Sequence, residues 1–236
     1  MDFLWSLFEP FVLMVQKCVE FFHDILASFA GIESYGLSII ILTIVIKVLL
    51  YPLTVKQIKS MKAMQKMQPE LKRIQQQYAN DPARMQAEMQ KLGINPMAGC
   101  LPMLVQMPIL MAIYYALRDT TYQGGDPSFL WMPTLSEPDP YYILPILSMA
   151  STFFVQHQTA DESNQQMKMM MYIMPLFIGW MSMNFSAGLV LYWVTMNGVQ
   201  ILQQWWMFRN EEKEEEAKKQ AKKDKKKDKK GKKEAV

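Results

Sequence analysis

Five apolar stretches, at about 36–55, 97–117, 142–158, 170–185 and 187–207, constrain this chain more than any other feature. A bilayer core of about 30 Å takes roughly 20 apolar helical residues, and in lipid only helices and closed barrels satisfy every backbone polar group. The expectation is an all-α membrane protein, a bundle of five transmembrane helices. Only residues 184–187 separate the fourth stretch from the fifth, so that pair is expected as a tight helical hairpin. The near-zero mean hydropathy of −0.03 conceals the pattern because charge is gathered at one end. Residues 209–236 hold 13 of the 25 Lys and Arg and 8 of the 22 Asp and Glu.

Orientation follows from the basic residues, which are retained on the cytoplasmic side. Segment 56–96 carries Lys56, Lys59, Lys62, Lys66, Lys72, Arg73, Arg84 and Lys91, and is expected inside. Loop 118–141 has Arg118 against Asp119, Asp126, Glu137 and Asp139, and the first 35 residues have only Lys17, so both are expected outside. Five spans then put the N-terminus outside and the C-terminus in the cytoplasm.

Three regions flank or interrupt the spans. Residues 1–34 are read as an extracytoplasmic interfacial helix, because Phe11, Val15, Cys18, Val19, Phe22, Ile25, Leu26 and Phe29 recur at helical spacing against Gln16, Lys17, Glu20, His23 and Asp24. Lys17, Glu20 and Asp24 in its middle argue against a sixth span, and Glu9, Pro10 and Lys17 argue against a cleaved signal peptide. His23 reads as a polar-face residue. Within the core, 35–208, residues 57–95 form a cytoplasmic helical hairpin: Met61, Met64, Gln68, Leu71, Ile74 and Tyr78 recur three and four apart, Asn80-Asp81-Pro82 breaks the helix, and Met85, Met89 and Leu92 resume the stripe. The tail 209–236 is low in complexity and disordered by composition.

Lys47 is out of place. It lies past the middle of the first span, where a charge costs about 2.5–3.5 kcal/mol on insertion scales. Two accounts stay open: its stem snorkels to the inner headgroups, or it lines a hydrated cavity. Gln106, Gln156, Thr195, Asn197 and Gln200 also fall at membrane depth, and no span contains a carboxylate, so neutral dipoles and water are the partners available to Lys47. Each polar residue alone reads as interhelical glue; their coincidence with Lys47 favours a wet, positive pocket open to the cytosol. Pro52, Pro102, Pro108, Pro145 and Pro175 interrupt or end the spans, which also suits a non-uniform, hydrated bundle.

Bond-making chemistry finds no support. There is no phosphate-binding loop, HExxH or GxSxG, and His23 and His157 have no nearby nucleophile. Cys18 and Cys100 are 82 positions apart and suggest neither a disulfide framework nor a metal site. The chain is read as a non-enzyme with no cofactor and no metal.

YGLSIIILTIVIKVLLYPLTVKQIKSMKAMQ from Tyr35, NPMAGCLPMLVQMPILMAIYYAL from Asn95, PDPYYILPILSMASTFFVQ from Pro138 and AGLVLYWVTMNGVQILQQ from Ala187 resemble, in order and spacing, the core of the YidC/Oxa/Alb membrane insertases, in their shorter bacterial form. The resemblance runs from about 35 to 209. It implies a five-helix bundle with a hydrophilic groove open to cytosol and lipid and sealed outside, in a bacterial plasma membrane. Lys47 takes the place of a groove cation that is usually Arg, which keeps the charge but loses the bidentate fork. Gln156 and Trp193 match polar and aromatic groove positions. Ser186 stands where many members have Pro.

The function expected is a membrane insertase and chaperone, moving apolar segments of nascent membrane proteins from the cytosol into lipid. Its groove residues are Lys47, Gln106, Gln156, Trp193, Thr195, Asn197 and Gln200. Met61, Met64, Met67, Met85 and Met89 either offer clients a pliable hairpin surface or hold the two helices together. Lys222, Lys223, Lys225, Lys226, Lys227, Lys229 and Lys230 either touch anionic lipid or a ribosome, the docking the resemblance implies, or serve only as solubilising charge or a topology signal. The Sec translocon is a further partner to consider, and the chain is expected to be a monomer. Two rivals remain: a channel or transporter, and a membrane tether for ribosomes.

Overall fold

The computed structural model describes residues 2–91, 101–119, 128–159 and 165–234. Among them are eight α-helices: α1 (Asp2–Ala30), α2 (Tyr35–Leu49), α3 (Tyr51–Gln77), α4 (Pro82–Lys91), α5 (Leu101–Asp119), α6 (Ile143–Thr159), α7 (Gln165–Ser182) and α8 (Ala187–Glu234). By length and apolar character no single described helix is enough to cross a membrane; α1 from Glu9 and α2, bent by 115°, pass that test only as a pair.

Local chemistry makes that bend. Gly31 takes φ +64°, open to a residue without a Cβ, and its N–H donates to Ala27 O at 3.1 Å while Ile32 N–H donates to Leu26 O at 3.1 Å, closing α1 with an αL cap. Ser34 then caps α2, its Oγ accepting from Leu37 N–H at 3.4 Å. The other end of α2 is set by Pro52, which has no N–H for the Val48 carbonyl. The helix breaks at Leu50 (φ −84°, ψ 1°) and restarts as α3 with proline in its first turn.

The core gathers Val12, Val15 and Val19 of α1, Tyr35, Ile39 and Leu42 of α2, Ala112, Ile113, Ala116 and Leu117 of α5, and Leu189, Val190, Tyr192 and Met196 of α8. α6 packs along both α7 and α8, α2 along α8, and α1 on α2 and α5. Ser148 and Ser182 share a buried hydrogen bond of 3.0 Å between α6 and α7, where Gly179 lets the helices approach: a Cβ there would stand 2.9 Å from that of Met149.

Three sequence expectations need amending. The stripe of α1 that docks is Val12, Val15, Val19 and His23, while Phe11, Phe21, Ile25 and Phe29 point outward. Apolar residues nearly encircle this helix, so the wheel could not choose the docking arc. His23 is accordingly no polar-face residue: it is 7 % exposed and stacked on Tyr35 at 4.1 Å between ring centroids. α8, finally, runs on as helix to Glu234, where composition predicts disorder. Glu214 and Glu215 precede Lys218 and Lys219 by four, the orientation that supports a solvated helix, and Ala, Glu and Lys are good helix formers.

α3 and α4 pack on each other across the turn at 78–81. Asp81 caps α4, its Oδ1 accepting from Arg84 N–H at 3.1 Å, and Pro82 occupies the first turn. The base of α3 meets α8, with Lys62 Nζ 3.7 Å from the centroid of Phe208 and Tyr51 against Trp206.

Candidate functional site

The apolar first part of α8, to about residue 207, carries a polar stripe. Trp193, Asn197, Gln200 and Gln204 follow one another by four, three and four residues, so they share a face. The upper part of the stripe meets α6. Trp193 Nε1 donates to Thr152 Oγ1 at 3.1 Å, and Asn197 Nδ2 donates to Thr152 Oγ1 at 2.9 Å and Ser151 Oγ at 3.1 Å.

Lower down, α8 faces α2. Lys47 Nζ donates to Gln200 Oε1 at 2.9 Å, and Gln203 Nε2 returns a bond to the Lys47 carbonyl at 3.3 Å. The ammonium thus meets a neutral dipole, as expected of spans without carboxylates. Its surroundings differ from the open, wet pocket expected: Lys47 is 8 % exposed, enclosed between α2 and α8. The reason is packing, since Leu42 and Ile39 hold α2 against α8 one and two turns above, and among the described residues the Gln200 amide is the acceptor beside the lysine. A shallow apolar trough of about 480 Å³ lies elsewhere, on α1, lined by Pro10, Leu13, Met14, Lys17, Cys18 and Phe21.

The remaining expected groove residues divide. Gln106 Nε2 of α5 donates to the buried Tyr192 hydroxyl at 2.9 Å. Gln156 is half-buried on α6. Thr195 turns its hydroxyl back to Leu191 O at 2.8 Å, satisfying itself within its own helix. Met67, Met85 and Met89 are half-buried in the α3–α4 pair, while the side chains of Met61, Met64 and the seven tail lysines lie outside the description. Sequence reasoning missed Ser151, Thr152, Tyr192, Gln203 and Gln204. Only Gln204 carried a signal, its place in the α8 stripe; Ser and Thr in a span look like any small residue.

The 128–142 loop covers the end of the bundle where α6 and α8 begin. Glu137 O and Leu135 O accept from the N–H groups of Ala187 (2.7 Å) and Gly188 (2.9 Å), so the loop satisfies the first turn of α8. Asp139 holds the loop itself, accepting from Trp131 Nε1 at 3.0 Å, Tyr141 N–H at 3.0 Å and Leu144 N–H at 2.7 Å. Phe129 lies so close over α2 that a Cβ on Gly36 would stand 2.2 Å from its ring.

A family model described as 60Kd inner membrane protein matches residues 25–216. The chain belongs to that family. Among inner membrane proteins of this kind, the membrane protein insertase YidC of Fusobacterium nucleatum is 39 % identical over 213 residues, covering 89 % of this chain and 98 % of the relative. The YidC of Oceanobacillus iheyensis is 46 % identical over 198 residues, covering 76 % and 77 %. The solved structure of an active YidC insertase with its first transmembrane domain resolved superposes with a TM-score of 0.60 at 25 % identity, over 84 % of this chain and 45 % of that one. The 60Kd inner membrane protein core thus accounts for nearly all of the first relative and less than half of the solved chain. The family resemblance read from residues 35–209 is the family that matches.

Proposed function

We propose that this chain is a membrane protein insertase that passes apolar segments of nascent proteins from the cytosol into the bilayer along the seam between α2, α6 and α8. The observation that carries the reading is Lys47, a cation enclosed among apolar helices and held, among the described residues, by the Gln200 amide.

In this reading the five spans are α2 with the start of α3, α5, α6, α7, and α8 to about residue 207. α1 lies in the outer interface with Phe11, Phe21 and Phe29 toward lipid, α3 and α4 form the cytoplasmic hairpin, and the α8 extension carries the basic tail into the cytosol toward ribosome or lipid headgroups. The N-terminus is outside, the C-terminus inside, and the unit is one chain in a bacterial plasma membrane.

Lys47 works by exchange of partners. A carboxylate offers the ammonium an opposite charge as well as an acceptor, whereas a neutral flank offers an acceptor no better than the Gln200 amide, so an acidic client flank displaces Gln200 where a neutral flank does not. The polar stripe of Asn197, Thr152 and Ser151 then continues the path above Lys47, which shortens the hydrocarbon barrier a polar flank must cross. Partitioning of the client's apolar segment into lipid supplies the drive, with the membrane potential adding about 2.3 kcal/mol per charge per 100 mV for acidic flanks moving outward. No nucleotide chemistry is needed.

Site-specific crosslinking tests this directly. Photoreactive residues placed at Val48, Thr152 and Gln203 should capture a ribosome-stalled membrane protein and not a stalled soluble one. Solute flux through the purified protein in liposomes, with no capture and no insertion, would make it a channel instead.

A further inference from the structure

Three buried amide oxygens have no hydrogen-bond partner among the described residues: Oε1 of Gln158 on α6 and of Gln203 and Gln204 on α8. α6 and α8 both start at the 128–142 loop and run side by side, with Thr152 beside Asn197. Six residues further along each helix come Gln158 and Gln203, so the shared register sets Gln158 at the level of Gln203 and Gln204, and Gln203 reaches Lys47. Gln203 stands on the α2 side of α8, where its Nε2 holds the Lys47 carbonyl. Gln204, 1 % exposed, lies one turn beyond Gln200 on the same face of α8.

The chemistry of what fits is narrow. All three open positions are acceptors, so the complement is a hydrogen-bond donor. Lys47 beside them repels a cationic donor, which leaves a neutral one. A polypeptide leaving its helical or folded state presents such donors in a row, its backbone N–H groups, and these must be satisfied wherever water is scarce. We infer that Gln158, Gln203 and Gln204 form a backbone-recognition site that accepts N–H groups of the client's extended flank, whatever its side chains. Such a site would let one seam serve unrelated sequences, with Lys47 reading charge and the glutamines reading the main chain. The inference rests on the insertase reading.

The test replaces the N–H itself. A synthetic single-span client is made with all amides, and in a series where one flank amide at a time becomes an ester, which removes the donor and keeps the chain's shape. Each is inserted by the full-length protein in liposomes and in protein-free liposomes as the baseline. With wild type, esters at one or two adjacent flank positions should slow protein-dependent insertion about five-fold, the effect of one lost hydrogen bond. With Gln204→Met, close in volume and unable to accept such a bond, the slowing should disappear at one of those positions. No slowing at any position in wild type overturns the inference, as does unchanged slowing in a folded Gln204→Met. Should that variant not fold, the wild-type scan decides alone, since slowing away from the flank or equal slowing in protein-free liposomes also overturns it. If even the all-amide client inserts no faster with the protein than without, the insertase reading fails and takes the inference with it.

Discussion

Lys47 gives its ammonium to the Gln200 side chain across the α2–α8 seam, 2.9 Å from Nζ to Oε1, and none of the five apolar stretches holds a carboxylate to compete. A buried cation with a neutral partner is poised for a better one. The first prediction follows from charge pairing, since an acidic flank gives the ammonium an opposite charge while a neutral flank gives only an acceptor like the Gln200 amide. Lys47→Ala should slow insertion of clients with acidic translocated flanks about ten-fold and leave neutral-flank clients nearly unaffected, while Lys47→Arg keeps both. Insertion rates in proteoliposomes check it, and equal loss for both flank types would remove the charge from the mechanism.

The same pair makes a stability prediction with the opposite dependence on function. Gln200→Leu leaves the Lys47 ammonium enclosed without an acceptor, which should cost about 1–3 kcal/mol. Lys47→Met strands the Gln200 oxygen and should cost less, because an amide is cheaper to bury than an ion. Combining them replaces both partners by apolar groups of similar volume, so thermal unfolding in detergent should return to near wild type. Insertion of acidic-flank clients should stay low in the double variant, separating the fold's need for the pair from the insertase's.

At the start of α2, Gly36 admits Phe129 so closely that any Cβ collides with the ring. Gly36→Ala should destabilise by about 1–3 kcal/mol, the usual cost of overpacking. Phe129→Ala opens the space, and the double variant should recover most of the loss caused by the glycine change. Unfolding midpoints of the four proteins read the coupling directly; strictly additive effects would mean that the loop does not seat on α2.

Sequence gave the helices because apolar length is a local property: the described parts of α5, α6, α7 and α8 start or end within a few residues of the apolar stretches wherever both ends are described, except that α7 begins five residues early and α8 runs on into the tail. The break after Leu49 was visible in Pro52, and Lys47 was conspicuous as a charge in an apolar run. What stayed hidden depends on which residues meet. The docking arc of α1 could not be read where apolar residues go nearly all round, so His23 looked like a surface residue. Gln203 and Gln204 look like interfacial polar residues until α2 and α6 are placed beside them. Asp139 was read only as one charge of an outer loop, although it holds that loop together.

That knot gives the last prediction. Asp139 is 4 % exposed and accepts three hydrogen bonds, from the Trp131 indole and the Tyr141 and Leu144 backbone. The loop it ties carries two non-glycine residues in the left-handed region, Leu130 at φ 55° and Tyr142 at φ 58°, each costing on the order of 1 kcal/mol or more. Asp139→Ala strands the donors and frees the strain at once, so the loop should let go of the α8 N-terminus, where Glu137 and Leu135 accept from Ala187 and Gly188. The expected loss is about 2–4 kcal/mol, combining lost helix-start bonds with unsatisfied donors. Asp139→Asn keeps an acceptor for part of the set and should lose about half as much. Hydrogen exchange at Ala187 and Gly188 distinguishes this from a general loosening: their amides should exchange faster in Asp139→Ala while those around Asn197 keep their protection, and uniform acceleration along α8 would refute a local latch.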